Sequence, residues 1–226
     1  MFTLKKAFMT SLPVMVGYIV LGMGFGIVLH DAGYGIIWAI AMSTFIYAGS
    51  MQYAGISLIT AQASILTTIA MTLLVNARHM FYAVAMLGKY KNTGKYKPYL
   101  IFSLTDETYS LVCDGNVPEG CDVGRFYFLV SLLDHFYWVI GTIVGSIFVT
   151  LVSIDTTGID FSMTALFLVT VVNQLKTSPT SFPTIIGFVV TAMCLVLFGT
   201  QVFLIPSMIG IVSILLVCRK KVEKHV

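Results

Sequence analysis

Charge is what this chain has least of. Asp, Glu, Lys and Arg together make up 10% of its 226 residues, whereas a soluble domain carries about 25%. That shortfall leaves no room for a large solvated surface, so no soluble domain is expected beside the apolar segments. Familiar catalytic signatures are missing too. There is no P-loop, no H-E-x-x-H helix and no Gly-x-Ser-x-Gly elbow. The four cysteines, at 113, 121, 194 and 218, are not spaced as a metal site. A net charge of +3, scattered over loops and termini, does not suit a nucleic-acid partner. Neither an enzyme nor a cofactor is expected.

Apolar sequence fills the space instead. Hydrophobic residues make up 58% of the chain and mean hydropathy is +0.93. The apolar stretches are 12–30, 33–61, 63–87, 99–114, 126–153, 161–175, 181–198 and 201–218. At roughly 20 residues per span there is room for about six to eight membrane segments. The runs are continuously apolar, which favours helices over barrel strands, since those alternate. The expected fold is therefore all-α: a polytopic transmembrane helical bundle forming one integral membrane domain over 1–226. The first stretch follows Lys5 and Lys6 like a signal peptide's apolar core. It is too long and lacks a small-residue cleavage site, so it reads as a retained helix.

Some stretches are irregular. The 33–61 and 126–153 runs exceed one span, and the first is interrupted by Ala48, Gly49 and Ser50 and again by Gly55. Pro179 and Pro183 punctuate the later half, and Pro206 falls within the last stretch. Basic residues cluster at Lys5 and Lys6, across Lys89–Lys97, and at Arg219, Lys220, Lys221 and Lys224. The positive-inside tendency places all three clusters in the cytoplasm. Simple crossing of the first three stretches would put Lys89–Lys97 outside. Parity is restored if 33–61 is a re-entrant hairpin turning near Gly49 or a broken pair. The second half needs a defective segment as well, either 161–175 or the acidic 99–114. Two halves with one broken segment each are the pattern of an inverted-repeat transporter, although no sequence repeat links them.

Polar residues inside apolar runs mark the candidate site. Thr68, Thr72, Asn76 and His79 share one face of a helix, with Arg78 and Tyr82 beside them. Asn76 and Arg78 either line a pathway, Arg78 facing a carboxylate, or act as helix glue and interfacial anchor. His79 reads more readily as an anchor. Asp106 and Glu107 lie in 99–114, where they are costly unless paired, protonated or wet; the alternative is an interfacial helix with both acids in water. Ser131, His135, Thr142 and Gly145 follow one helical line, with Asp134 and Trp138 next to it. Gly22 and Gly26, and again Gly141 and Gly145, are spaced for close helix contact. Cys113 and Cys121 flank an acidic turn-rich loop that falls outside on this topology, where a disulfide can form.

Five blocks occur in order. They are Phe45-Ile-Tyr-Ala-Gly-Ser-Met-Gln-Tyr-Ala54, Val75-Asn-Ala-Arg-His-Met-Phe-Tyr82, Leu104-Thr-Asp-Glu-Thr-Tyr109, Trp138-Val-Ile-Gly-Thr-Ile-Val-Gly145 and Gly158-Ile-Asp-Phe-Ser-Met-Thr-Ala-Leu-Phe167. Together they resemble the AzlC family, the large subunit of branched-chain amino-acid exporters, from about residue 8 to residue 215. The resemblance implies export of leucine, isoleucine, valine and, at the margin, methionine across the cytoplasmic membrane of a prokaryote, usually driven by the proton gradient. It also implies a small AzlD-type membrane subunit as partner. Gly49, Ser50, Gln52, Asn76 and Arg78 are the expected substrate-binding residues. His79, Asp106 and Glu107 are the expected proton-coupling candidates.

Overall fold

In the computed structural model, residues 2–152 and 181–218 are described, together with 158, 161, 164, 165, 168, 171, 172 and 175. The basic cluster from Arg219 onward, Pro179 and most of 161–175 lie outside the described residues. The chain divides into two compact units, Met1–Thr68 with His79–Met163, and Ile69–Arg78 with Thr164–Val226.

The described elements are helical. In chain order they are α1 (Phe2–Asp31), α2 (Ile36–Phe45), α3 (Gly49–Thr60), α4 (Ile65–Tyr90), a 3-10 turn (Gly94–Tyr96), α5 (Lys97–Phe102), α6 (Asp106–Val112), α7 (Val123–Leu151), α8 (Phe182–Val202) and α9 (Leu204–Val217). Among the described residues, three helices are long and apolar enough to cross a membrane: α1, α7 and the Phe182–Thr200 part of α8. A fourth is α4 if its segments Ile65–Leu73 and Val75–Tyr90, which meet at 40°, are one bent span. The chain is thus an all-α, multi-pass membrane bundle, and its many outward Ile, Leu, Val and Phe side chains suit a hydrocarbon solvent.

In the first unit, α1 and α7 lie side by side and run parallel. Ile19 meets Gly141, Met23 meets Gly145, and Gly26 meets Thr142 and Ser146. The contact is backbone on backbone. A methyl group at Gly22 would stand 2.8 Å from the Trp138 carbonyl, and one at Gly141 would stand 2.5 Å from that of Ile19. At Gly26 and Gly145 it would collide with the Thr142 and Met23 carbonyls. The expected glycine packing is borne out.

The 33–61 stretch is two short helices that fold back on each other. In a continuous helix Ser43 and Gln52 would be separated by about 13 Å along the axis at 1.5 Å per residue. Instead Gln52 Nε2 lies 3.5 Å from Ser43 Oγ, and a carbon at Gly55 would sit 3.7 Å from Met42 Cε. The break falls at Ile46–Ala48, where Tyr47 adopts φ +42°. It comes slightly before the expected turn near Gly49. Gly55 does not interrupt α3; it gives Met42 room.

The 99–114 stretch is broken as well, into α5 and α6 with a turn at Ser103–Thr105. Six and seven residues reach only about 9–11 Å, too short to span. The Thr105 hydroxyl caps α6 by accepting from Thr108 N at 3.3 Å, and Asp106 and Glu107 occupy its first turn, where acids suit the helix dipole. A core of Ala7, Met86, Tyr90, Leu100, Val112, Phe126 and Val130 joins the start of α1, the end of α4, the α5–α6 hairpin and the start of α7 at one end of the unit. The Cys113–Cys121 loop is at that end too: Gly115 abuts Lys89, Gly120 abuts Phe2, and Gly124 abuts Thr93. This corrects the expectation that the loop lies across the membrane from Lys5, Lys6 and Lys89–Lys97. The hairpin returns to its starting side, so no crossing separates loop from Lys89. Both thiols are free.

In the second unit α8 packs on α9, with Gly210 against Val190. Pro183 is in the first turn of α8 and Pro206 in the first turn of α9, where proline needs no partner for its missing N–H.

Candidate functional site

The two hairpin turns arrive from opposite ends of the first unit and meet midway along α1 and α7. Tyr47, at the α2–α3 turn, stacks on His135 with ring centres 4.0 Å apart and lies 6.4 Å from Phe102 at the end of α5. Thr105, at the α5–α6 turn, is 2.6 Å from the Tyr18 hydroxyl of α1. Tyr18 and His135 are each near the middle of their helices.

Breaking α2 after Phe45 releases a helix-end carbonyl that needs a donor. His135 provides it: its Nε2 is 3.1 Å from the Ser43 oxygen. A carbonyl only accepts, so Nε2 carries a proton, and in the neutral ring Nδ1 is an acceptor. The Tyr99 hydroxyl, 2.9 Å from Nδ1, then donates to it. One histidine thus ties both hairpins to α7 in a single tautomer.

Gln52 and Ser43 complete the α2–α3 side. Trp138 Nε1 donates to Gln52 Oε1 at 2.9 Å, and the Ser43 hydroxyl donates to Thr142 Oγ1 at 2.9 Å. Thr142 in turn donates to the Trp138 carbonyl. Gln52, Ser43 and Thr142 have no exposed surface. On the α5–α6 side, the Tyr18 hydroxyl is 2.8 Å from Glu107 Oε2 and the Thr108 hydroxyl is 2.8 Å from Asp134 Oδ2. The arrangement is a largely buried polar layer between apolar ends, held by one amide, one indole, hydroxyls, one imidazole and two acids.

The expected site residues divide across the units. Gly49 and Ser50 begin α3, whose Ala48 cap position supplies no side-chain acceptor, and Gln52 joins the layer. Glu107 joins it through Tyr18. Asp106 Oδ1 stands 4.0 Å from His79 Nε2, and both residues are half-buried. Asn76 and Arg78, also half-buried, are in the middle of α4 and belong to the second unit. Tyr18, Tyr47, Tyr99 and Thr105 were not singled out by sequence. The helical line through His135 and Thr142, with Asp134 beside it, was the available signal, but it assigned those residues no role.

Comparison with known proteins points one way. The family model described as AzlC protein matches residues 13–152, which include the whole polar layer. The chain is 40% identical over 220 residues to the branched-chain amino acid transport protein AzlC of Bacillus subtilis (strain 168), covering 97% of this chain and 87% of that protein. It is 41% identical over 219 residues to an uncharacterized membrane protein of Helicobacter pylori (strain ATCC 700392 / 26695), covering 97% and 96%. Similarity to the inner membrane protein YgaZ of Escherichia coli (strain K12) is weaker, 24% over 139 residues, covering 60% and 57%. No solved structure matches the chain.

Proposed function

The chain belongs to the AzlC family, and from that premise we propose that it is a secondary transporter exporting branched-chain amino acids, coupled to the proton gradient. Leucine, isoleucine and valine are its substrates, with methionine at the margin. One relative is named as a branched-chain amino acid transport protein, and the setting of this chain is the cytoplasmic membrane of a prokaryote. The observation that carries the reading is the meeting of two broken hairpins at a buried polar layer. Transporters place zwitterion sites where interrupted helices free backbone groups near the midplane.

In this reading the substrate carboxylate sits at the start of α3, at Gly49 and Ser50, with Gln52 beside them, and Asn76 and Arg78 of α4 are the further substrate-binding residues. The dipole of α3 favours an anion there. Proton coupling falls to the acids of the second turn, Asp106 and Glu107, and to His79. Hairpin α2–α3 with α4 and hairpin α5–α6 with α7 form an inverted pair, each a hairpin followed by a spanning helix. Lys5, Lys6 and Lys89–Lys97 are cytoplasmic, the whole chain is one transporter domain of six to eight segments counting both hairpins, by the allowance of about 20 residues per span, and a small AzlD-type subunit is its partner.

Liposomes loaded with labelled valine test the proposal, with and without the small subunit. Efflux against a concentration gradient, driven by an imposed pH gradient, is the expected result. No flux under any gradient would leave a scaffold, and flux that only ever runs downhill would leave a channel.

A further inference from the structure

Asp134 is fully enclosed. Its Oδ2 is 2.8 Å from the Thr108 hydroxyl, and its Oδ1 meets no hydrogen-bond partner. Among the described residues no Lys or Arg pairs with it. The titratable groups facing it are Glu107 from α6, Tyr18 from α1, Tyr47 from the α2–α3 turn, Tyr99 from α5, and Tyr137 and the adjoining His135 from α7. An acid so placed within a membrane is a functional group by default.

An unbroken run of hydroxyls joins Asp134 to Glu107. Thr108 Oγ1 is 3.1 Å from Thr105 Oγ1, which is 2.6 Å from Tyr18 OH, which is 2.8 Å from Glu107 Oε2. Counting protons identifies the state of this run. Four hydrogen bonds connect its five groups, but its three hydroxyls own only three protons. A hydroxyl donates once and an ionised carboxylate not at all. With both acids ionised, one contact of 3.1 Å or less would have oxygen facing oxygen with no proton between them. One added proton, on either carboxyl, fills all four.

We propose that Asp134 and Glu107 share one transferable proton through Tyr18, Thr105 and Thr108, and that this relay is the proton-coupling site of the carrier. The proposal rests on the transport reading above. The transfer balances. The Glu107 carboxyl O–H breaks and its proton passes to the Tyr18 oxygen. The Tyr18 proton moves to Thr105, that of Thr105 to Thr108, and that of Thr108 to the Asp134 carboxylate, where an O–H forms. Each hydroxyl ends neutral and each acid exchanges its state. Half-buried Glu107 is where the proton is exchanged, and sealed Asp134 is where it is held. The run passes from α6 to α1, back to the α5–α6 turn, and on to α7. Any movement of that turn away from α1 or α7 cuts it, so proton transfer and hairpin movement are linked.

Infrared difference spectroscopy of the full-length protein tests the shared proton without requiring transport. At neutral pH the wild type is expected to give the carbonyl stretch of one protonated carboxylic acid. Asp134→Asn and Glu107→Gln should each abolish it, because the new amide N–H completes the run with the other acid ionised. Absence of the band in the wild type, or its survival in both variants, would overturn the proposal. In liposomes Tyr18→Phe should lower the pH-gradient-driven part of valine flux by about a hundredfold, the lower range for losing a positioned proton carrier. An undiminished gradient-driven flux in Tyr18→Phe would overturn the coupling role. If the wild type moves no valine under any gradient, the transport reading falls, and the infrared band still decides whether the proton is shared.

Discussion

His135 joins more of the polar layer than any residue expected to bind substrate or carry protons. Its two ring nitrogens reach the Ser43 carbonyl of one hairpin and the Tyr99 hydroxyl of the other. Replacing it by Phe keeps the stacking partner of Tyr47 but leaves that carbonyl and that hydroxyl without their partner. Each orphaned buried group costs about 1–3 kcal/mol. His135→Phe should therefore lower the unfolding midpoint of the detergent-purified protein, while His135→Gln, which can still donate to the carbonyl, should lose less; equal losses would count against the tautomer. Glu107 was noticeable in the sequence because an acid stands out in an apolar run, and Gln52 because it falls in a block that resembles the AzlC family. Tyr18 and Thr105 were not. A tyrosine in a membrane helix looks like any aromatic, and a threonine before two acids looks like a cap, which Thr105 also is. Only the fold shows that their hydroxyls meet.

Among the elements, the α1–α7 seam has the narrowest tolerance. Overfilling a packed contact costs about 1–3 kcal/mol and more where backbone is the obstacle. Gly26→Ala and Gly145→Ala should each reduce folded yield and thermal midpoint clearly. Gly17→Ala and Gly187→Ala make the matched control, since a methyl group there meets nothing within 4 Å. Those two should be neutral or gain up to about 1 kcal/mol from helix propensity. A thermal-shift comparison of the four variants separates steric contact from a general glycine effect. The seam was readable in advance because four-residue glycine spacing is a local signal. The hairpins were readable only as a parity requirement. The positive-inside tendency required 33–61 to cross twice or not at all, but an apolar run interrupted by glycine reads alike whether it bends, breaks or doubles back. The place of the turn depended on Tyr47 accepting a left-handed backbone, which composition does not announce.

At the level of the whole molecule, the Cys113–Cys121 loop reports orientation. It lies beside Lys89 and Phe2, so a membrane-impermeant maleimide added outside intact cells should leave Cys113 and Cys121 unlabelled. A single cysteine at position 92, in a background without native cysteines, should be protected as well. Labelling of any of these from outside would overturn the cytoplasmic assignment. In opened membranes a pH effect is expected. Burial, with Asp114 beside it, holds the Cys113 thiol above its usual value, and the thiolate is the reactive form. Alkylation of Cys113 should therefore rise with pH across the alkaline range and lag an unperturbed thiol. Asp114→Asn should shift the profile toward lower pH. The sequence placed this loop on the opposite side because 99–114 was counted as a possible crossing, and only its division into two short helices changes the parity. The seam between α1 and α7 has a mechanical consequence. Two helices in backbone contact have no layer of side chains to repack, so they can neither slide nor roll against each other. They make a fixed post, and in the proposed carrier exchange of access falls to the hairpin ends that meet beside it. The resistance to such a movement would then come from a handful of breakable polar contacts instead of from lipid that would have to be pushed aside.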